Sequence, residues 1–329
     1  MELNRPLANV KVIGVGGAGC EVIRRVKRRG EIPGVAYLAI DAGSQQTARN
    51  RDGGIVTAEL LPADHTSSWD RDTVTKAARD PSFVSRLKQA ISDADVVVMV
   101  AGMGGATGTG VSPDVAGIAR ETGAFVLPIV TMPRPSEGKK RNKAAEEGIS
   151  CLRTAVRNVV VVSQYRIIEL GSHNNCGLFP FVEAETFLVE GICSIIELIA
   201  VPGEINVDLN DFRRVMGIPG VAVMCRGESR CTGSNRNPVL EATEWALGRP
   251  TADIQLKGAE GVLVNFCGNS EVATAEYVDA LDFVRREVNP NVDWAFGVFE
   301  PEGVGYDCVR VTLIATGLQP RGLSWWQAE

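Results

Sequence analysis

Two glycine-rich segments are the parts of the sequence best suited to bind a chain of phosphates. The first glycine loop (residues 14–19) reads Gly-Val-Gly-Gly-Ala-Gly, and it follows a predicted strand and opens a predicted helix. Glycine lets backbone N–H groups approach an anion closely, and the first turn of a helix favours negative charge. By itself, this pattern is also typical of a tight turn or of a dinucleotide-binding fold.

The second glycine loop (residues 102–110) reads Gly-Met-Gly-Gly-Ala-Thr-Gly-Thr-Gly and also lies between a buried predicted strand and a predicted helix. Its Thr107 and Thr109 add hydroxyl groups, which can donate hydrogen bonds that glycine side chains cannot. A dinucleotide fold does not use a second loop of this kind, and the chain lacks the Gly-x-x-x-x-Gly-Lys-Ser/Thr phosphate loop. Two such loops on neighbouring strands could hold a phosphate chain from both sides.

The elements that must position these loops alternate between short apolar runs and helical patterns. In the first half, strands are predicted at 10–15, 35–40, 94–101, 124–131 and 159–162, and helices at 20–29, from about 110 to 120, and at 139–157. Continuous apolar strands alternating with helices predict an α/β fold with a parallel, Rossmann-like sheet covered on both faces. Right-handed crossovers then place the strand-to-helix loops on one edge, where such sheets bind ligands.

The pattern changes in the second half of the chain. A long helix is predicted at 183–200, where Pro202 and Gly203 end it. Further strands are predicted at 221–225, 261–266, 294–299 and 308–316, with helices at 238–247 and 274–288. We therefore expect a second, smaller α/β domain joined to the first through a long central helix.

Composition excludes several classes of function. The net charge of -6 and the absence of a long basic run argue against nucleic acid as the main partner. The 8 cysteines form no Cys-x-x-Cys pair and only His65 and His173 accompany them, so a structural zinc site is not expected. Neither a signal peptide nor an apolar run long enough to span a bilayer is evident, so we expect a cytoplasmic protein with reduced thiols.

The second glycine loop resembles the signature of the FtsZ and tubulin superfamily, on the FtsZ side, with Ala106 in place of one glycine. The resemblance extends over nearly the whole chain. Residues 131–133 and 137–141 of this chain are similar to the family's sugar-contacting loop and the helix after it. Residues 206–211 (Asn-Val-Asp-Leu-Asn-Asp) match the family's catalytic loop, and residues 261–265 and 311–317 resemble two strands of its second domain. The resemblance implies a GTP-binding domain at 1–180, the central helix and the start of the catalytic loop at 181–205, and a C-terminal activation domain at 206–329.

The resemblance implies that the chain binds GTP or GDP with Mg²⁺, stacks head to tail into filaments, and hydrolyses GTP where the catalytic loop of one subunit reaches the nucleotide of the next. Asp208 and Asp211 are then expected to polarise the attacking water, with Asn206 positioned at the phosphates. Phosphoryl transfer depends mainly on the positions of the reacting groups and on stabilisation of charge, and two carboxylates can orient the attacking water in line with the phosphate. On their own, Asp208 and Asp211 are more typical of helix caps, because Asp is common at a helix start.

The resemblance also implies a set of nucleotide contacts. These are Gly16, Gly17, Ala18, Gly19, Cys20, Glu21, Asp41, Gly102, Met103, Gly104, Gly105, Ala106, Thr107, Gly108, Thr109, Pro133, Glu137, Arg141, Gln164, Phe181 and Glu185. Cys20-Glu21 and Gln164 stand where the family has asparagines, and Phe181 resembles its stacking aromatic, although an aromatic residue opening an apolar helix is also typical of a core. Glu185 replaces an Asp or Asn, and its carboxylate can still accept hydrogen bonds from guanine.

Two regions depart from the family pattern. The family's third phosphate loop corresponds to residues 61–70 here, which contain no glycine. Asp64 or Asp70 would repel a terminal phosphate unless Mg²⁺ lay between them, whereas His65, Thr66 or Ser67 could donate a hydrogen bond to it. The alternative is that this segment is a surface loop turned away from the nucleotide. The chain also ends soon after its last predicted strand, without an evident adaptor-recruiting peptide. We therefore expect a divergent FtsZ-like protein rather than a housekeeping cell-division protein.

Three functions compete at this point. The leading hypothesis is a filament-forming GTPase whose expected partners are further copies of itself and other FtsZ-family filaments. The first alternative is a non-hydrolysing FtsZ-like regulator that binds or caps filaments, which the altered third loop favours. The second is a dinucleotide-dependent oxidoreductase, based on the first glycine loop and on Asp41 at the end of a strand, but it leaves the second loop unexplained.

The length of the central helix predicts a shared active site. Roughly 20 residues at about 1.5 Å each would span about 30 Å, the width of a domain. The helix would then carry the catalytic loop away from the edge that holds the glycine loops. We therefore expect that one subunit cannot reach its own nucleotide with Asp208 and Asp211.

Overall fold

The computed structural model describes residues 6–42, 55–60, 70–172, 180–230, 237–268, 272–300 and 308–319; for 170–172 and 180–185 it describes the backbone alone. These residues form two compact units, of which the first ends at Tyr165 and the second begins at Arg166. Within these ranges, none of the helices combines the length and the apolar character that crossing a membrane requires.

The first unit is built on a parallel sheet. Its described strands are β1 (Val10–Val15), β2 (Val35–Asp41), β3 (Val56–Glu59), β4 (Val96–Gly102), β5 (Phe125–Met132) and β6 (Asn158–Ser163). They are ordered β3-β2-β1-β4-β5-β6, and their described pairings are all parallel. β1 and β4 consist almost entirely of buried apolar residues, as expected of strands covered on both faces. This order is that of a doubly wound Rossmann-like sheet, so the predicted fold class is confirmed.

Helices connect the strands of this sheet. They are α1 (Gly16–Arg28), α2 (Arg71–Ala78), α3 (Pro81–Ala90), α4 (Ala106–Glu121), α5 (Lys139–Ala155) and α6 (Gln164–Ser172), the last of which continues into the second unit. In α1, Cys20, Ile23 and Val26 are buried at a spacing of three residues, so one face of the helix packs inward.

The structure corrects several predicted boundaries in the first unit. α1 begins at Gly16 rather than Cys20, because the glycine loop itself forms the first helical turn. α5 ends at Ala155 rather than at 157. β3, α2, α3 and α6 were not predicted; β3 has only 4 residues and α2 only 8, so their apolar patterns are short.

The second unit combines a long helix with a mixed sheet. Its helices are α7 (Pro180–Ala200), α8 (Leu209–Met216), α9 (Pro238–Leu247) and α10 (Thr274–Val288), and its described strands are β7 (Gly220–Arg230), β8 (Gly261–Cys267), β9 (Asp293–Phe299) and β10 (Cys308–Leu318). The sheet order is β7-β10-β8-β9, with β10 antiparallel to both neighbours and β8 parallel to β9. β7 extends past its predicted end at Cys225 to Arg230, because it stays paired with β10 as far as Cys308.

Candidate functional site

The two glycine loops lie side by side at one edge of the first sheet. β1 and β4 are adjacent and parallel, with Val15 opposite Ala101, so α1 and α4 begin at neighbouring positions. Neither helix has a capping side chain or an acidic residue in its first turn. In contrast, α2 and α3 begin with Asp70 and Asp80, whose carboxylates accept hydrogen bonds from first-turn N–H groups. The N-termini of α1 and α4 therefore present backbone N–H groups that an anion can use.

Close backbone contacts lock the two loops together. A Cβ atom added to Gly16, whose φ is +72°, would lie 2.9 Å from the backbone nitrogen of Gly108, and one added to Gly102 would lie 2.7 Å from the Cβ of Ala18. A Cβ on Gly19 would collide with the carbonyl oxygen of Val100. Glycine at these positions is thus required by the approach of the two loops to each other.

Internal hydrogen bonds fix the shape of the second loop. The backbone N–H of Gly104 donates to the hydroxyl of Thr109 at 2.7 Å, and the N–H of Met103 donates to the carbonyl of Thr131 at 2.9 Å. Thr109 is buried, whereas Thr107 is partly exposed. The Thr109 hydroxyl therefore braces the loop as an acceptor, and its predicted donation to phosphate stays a prediction.

An open space borders the first turn of α4. A Cβ added to Gly105 would meet no atom of the described residues within 4 Å, and its backbone is extended, with φ of -93°. Gly105 is also the residue that precedes the uncapped helix. The geometry at this point suits a phosphate group, because the site offers room, main-chain donors and no competing carboxylate in the first turn.

Pro133, Glu137 and Arg141 form a wall against the second loop. A Cβ on Gly104 would lie 2.6 Å from Cγ of Arg141 and 3.3 Å from Cγ of Pro133. One oxygen of Glu137 accepts the backbone N–H of Arg134 at 2.9 Å, and the other pairs with Arg141 at 3.1 Å. The structure thus brings Pro133 and Arg141, two of the predicted sugar-side residues, to the second glycine loop and holds Arg141 through Glu137.

The residues predicted near the base differ in what their side chains can reach. The thiol of Cys20 is buried and donates to the carbonyls of Gly14 and Ile40 at 3.4 and 3.7 Å, so it is turned to the backbone of the fold. Glu21 pairs with Arg24 at 2.5 Å and with Arg25 at 3.0 Å. Partial burial raises the pKa of Glu21, but the hydrogen bonds and charges of the two arginines outweigh it and lower the pKa.

Asp41 ends β2 next to the first glycine loop. It is only 6% exposed, and its carboxylate accepts the N–H of Ala42 at 2.8 Å. Burial raises the pKa of Asp41, and the hydrogen bond from Ala42 opposes this in part. A buried carboxylate beside the glycine loops suits an uncharged hydroxyl donor better than a phosphate.

Part of the predicted site falls outside the described residues. Asp64, His65, Thr66 and Ser67 of the altered third loop lie outside the described residues, as do the side chains of Phe181 and Glu185 at the start of α7.

The structure does place two further predicted residues, Gln164 and Asp70. Gln164 opens α6 directly after β6. Asp70 is exposed and caps α2 by accepting the N–H of Thr73 at 2.7 Å, a bond that lowers its pKa.

The carboxylate loop (residues 206–211) lies in the second unit, and each of its three predicted catalytic side chains has a partner. Asn206 accepts the backbone N–H of Gly203 at 2.7 Å, and Asp208 is the N-cap of α8, accepting the N–H of Asn210 at 2.6 Å. Asp211 pairs with Arg214 at 2.9 Å and stays 54% exposed. Asp208 therefore has the capping role that its position in the sequence also allowed.

β9 supports this loop at both ends. Before the loop, Ile205 and Val298 exchange backbone hydrogen bonds of 3.3 and 2.9 Å, and a Cβ on Gly203 would collide with the Val298 carbonyl. After the loop, Arg214 forms an ion pair with Asp293 at the start of β9. Sequence analysis missed Arg214 and Asp293. The three-residue spacing of Asp211 and Arg214 is a signal for the first pair, but no sequence pattern indicates the second.

These features define a class of protein: a nucleotide-binding Rossmann-like domain with paired glycine loops, followed by an α/β domain that carries an exposed carboxylate loop. The model of the Tubulin/FtsZ family GTPase domain matches residues 9–171, and the model of the FtsZ family C-terminal domain matches residues 220–319. The GTPase-domain match implies a guanine nucleotide as the ligand.

Solved structures agree with the family models. An FtsZ dimer from M. jannaschii is 30% identical, with a TM-score of 0.79 over 94% of this chain and 88% of that chain. A variant of M. jannaschii FtsZ is also 30% identical, with a TM-score of 0.81 over 95% and 92% of the two chains. CetZ2 from Haloferax volcanii, in a GTPγS-bound protofilament, shares the fold at 16% identity, with a TM-score of 0.78 over 94% and 93%. The chain belongs to the tubulin/FtsZ family of cytoskeletal GTPases.

Proposed function

We propose that this protein binds GTP at the two glycine loops, polymerises head to tail, and hydrolyses GTP where the carboxylate loop of one subunit meets the nucleotide of the next. The observation that carries the proposal is the pair of uncapped helix N-termini held together at one sheet edge. Support for self-association comes from the similar structures, which include an FtsZ dimer and a CetZ2 protofilament.

Phosphate binding follows from main-chain chemistry. The first turns of α1 and α4 offer N–H groups, the helix dipoles favour negative charge, and the space beside Gly105 admits a bulky anion. Thr107 lies in the first turn of α4 and is partly exposed, so we assign it a hydrogen bond to a phosphate oxygen. Arg141, half-exposed at the wall of the site, adds a positive charge nearby.

Hydrolysis is assigned to the carboxylate loop. Asp211 is 54% exposed on α8, at the edge of the face that buries Phe212 and Val215, and is thus available to a neighbouring subunit. Its carboxylate would orient and polarise a water in line with the terminal phosphate, with Asp208 and Asn206 shaping the loop around it. Mg²⁺ bound with the nucleotide would neutralise phosphate charge.

Base recognition is assigned to the start of α7. We propose that Phe181 stacks on the base and that Glu185 accepts hydrogen bonds from guanine. Cys20, Glu21 and Gln164 are proposed as nucleotide contacts of the first unit. If Glu185 reads guanine, Glu185→Leu will weaken GTP binding by about 1–3 kcal/mol, because donors on the base lose their partner. ATP binding will change little. Competition titrations with both nucleotides measure this, and equal losses for the two would remove Glu185 from the role.

A second function remains in competition: a non-hydrolysing regulator that binds or caps filaments of related proteins. The hydrogen bonds of Asn206 and Asp208 favour it, since both side chains already serve the turn and the cap of α8 and need no catalytic role.

Phosphate release measured over a range of protein concentrations separates the two functions. The nucleotide that copurifies with the chain is identified first, and filaments are then examined by electron microscopy with GTP and with GDP. A GTPase with a shared site will show activity per subunit that rises steeply where filaments appear. Filaments or binding without phosphate release would support the regulator, and activity per subunit that is constant down to the monomer would contradict a shared site.

A further inference from the structure

Asp211, Arg214 and Asp293 form a charged cluster on the surface of the second unit. Arg214 contacts Asp211 at 2.9 Å through one terminal nitrogen and Asp293 through the other. We propose that Arg214 is a positioning residue for GTP hydrolysis, which holds the Asp211 carboxylate in the orientation that polarises water and is itself anchored by Asp293. This inference rests on the proposed catalytic role of Asp211.

The geometry of the guanidinium supports a positioning role. Arginine presents its donors in a rigid planar fork, so a guanidinium bound to two carboxylates fixes their relative orientation. Asp211 and Arg214 lie three residues apart on α8, where side chains meet along one face. Asp293 belongs to a different element, the first residue of β9, whose backbone N–H donates to the carbonyl of Glu260 at 2.9 Å. The cluster thus ties the Asp211 side chain to a strand of the sheet.

Burial indicates that this cluster does little for folding. The side chains of Asp211, Arg214 and Asp293 are 54%, 46% and 39% exposed. Ion pairs at such exposure contribute little to stability because solvent screens them. The same ion pairs can still affect catalysis by orienting the Asp211 carboxylate, because a small displacement of a catalytic group strongly lowers the rate of reaction.

The atoms of Asp211 divide between the two roles. The contact with Arg214 uses Oδ1. Oδ2 is the oxygen that would accept a hydrogen bond from the attacking water. A guanidinium on Oδ1 also keeps the negative charge of Asp211 balanced where the nucleotide phosphates of a neighbouring subunit approach.

The test compares turnover in filaments for Arg214→Gln, Arg214→Lys, Asp293→Asn, Asp211→Asn and the double variant Arg214→Gln/Asp211→Asn. We expect Arg214→Gln to lower kcat by about 10-fold to 100-fold, as for a misplaced catalytic group. GTP affinity and the concentration at which filaments form will be unchanged. Arg214→Lys will recover part of the activity, since lysine keeps the charge but not the fork, and Asp293→Asn will show a smaller loss.

Arg213→Gln is the matched control, because it removes one positive charge from the same helix but not the guanidinium that contacts Asp211. It will keep wild-type kcat. Melting temperatures establish that each variant is folded; if Arg214→Gln does not fold, Arg214→Lys and Asp293→Asn decide the proposal by the same comparison with Arg213→Gln.

The double variant distinguishes positioning from direct contact with phosphate. If Arg214 acts through Asp211, adding Arg214→Gln to Asp211→Asn will lower turnover no further. An equal loss in both backgrounds would mean that Arg214 acts on the nucleotide itself, and would overturn the proposal, as would turnover of Arg214→Gln equal to that of Arg213→Gln. Wild-type turnover by Asp211→Asn is a different result, since it would refute the catalytic role of Asp211 rather than the contact of Arg214 alone.

Discussion

The glycine loops and the carboxylate loop reach a functional surface by opposite means. The glycine loops work through the absence of side chains: Gly16, Gly19 and Gly108 allow two stretches of backbone to touch. The N-cap residues of the two helices, Val15 and Gly105, make no capping hydrogen bond through a side chain. The carboxylate loop works through side chains that are already engaged, as Asp208 caps a helix and Asp211 binds an arginine. Substitutions in the first region therefore act on shape, whereas those in the second mix structural and chemical effects.

The largest expected effect comes from adding a methyl group at the contact between the loops. A Cβ on Gly108 would collide with the carbonyl oxygen of Gly102, whereas one on Gly117, further along α4, would meet no atom of the part of the chain that the structure describes within 4 Å. Gly108→Ala should destabilise the protein by about 1–3 kcal/mol through overpacking and abolish nucleotide binding. Gly117→Ala should stabilise it by about 0.5–1 kcal/mol. Denaturant unfolding with nucleotide titration measures both, and equal stability of the two variants would contradict the close contact.

The next largest effect separates charge from shape at the open position of the second loop. Gly105→Asp has room for its side chain, so the fold should persist. GTP binding should weaken by about 1–4 kcal/mol, the repulsion expected between two charges about 4 Å apart. Gly105→Asn, of the same shape and equally able to cap the first turn of α4, should weaken GTP binding less, so that the difference between the two variants reports the charge. Titration of both variants with GTP and with guanosine, which has no phosphate, measures the effect of the charge. Equal affinities of the two variants for GTP would contradict the prediction that a phosphate lies beside Gly105.

The smallest effect separates the two roles of Asp208. Asp208→Ala should cost about 0.5–2 kcal/mol of stability through loss of the N-cap, whereas Asp208→Ser should keep the cap and lose only the carboxylate. If Asp208 also takes part in hydrolysis, both variants will hydrolyse GTP slowly although only Asp208→Ala is destabilised. Normal turnover by Asp208→Ser would leave Asp208 with a structural role alone.

The same contrast explains what the sequence could predict. The buried strands and glycine loops were predictable, because apolar runs and glycine spacing are local patterns that the parallel sheet brings to one edge. The partners of individual side chains were not. The Thr109 hydroxyl and the Cys20 thiol both bind backbone groups that only the folded loops bring near, and Arg214 meets Asp293 across 79 residues of chain (293 minus 214).

The central claim is that each active site is shared between two subunits, and mixing two inactive variants tests it most directly. Asp211→Ala should bind GTP and form long-lived filaments but hydrolyse poorly, while Gly105→Asp, tested at a GTP concentration well below its weakened affinity, should stay largely without nucleotide. Mixed in equal amounts, they should recover up to about one quarter of wild-type turnover, because that fraction of head-to-tail contacts joins an intact pocket to an intact carboxylate loop. Turnover of the mixture no greater than the sum of the two variants alone, with both present in the same filaments, would contradict the shared site.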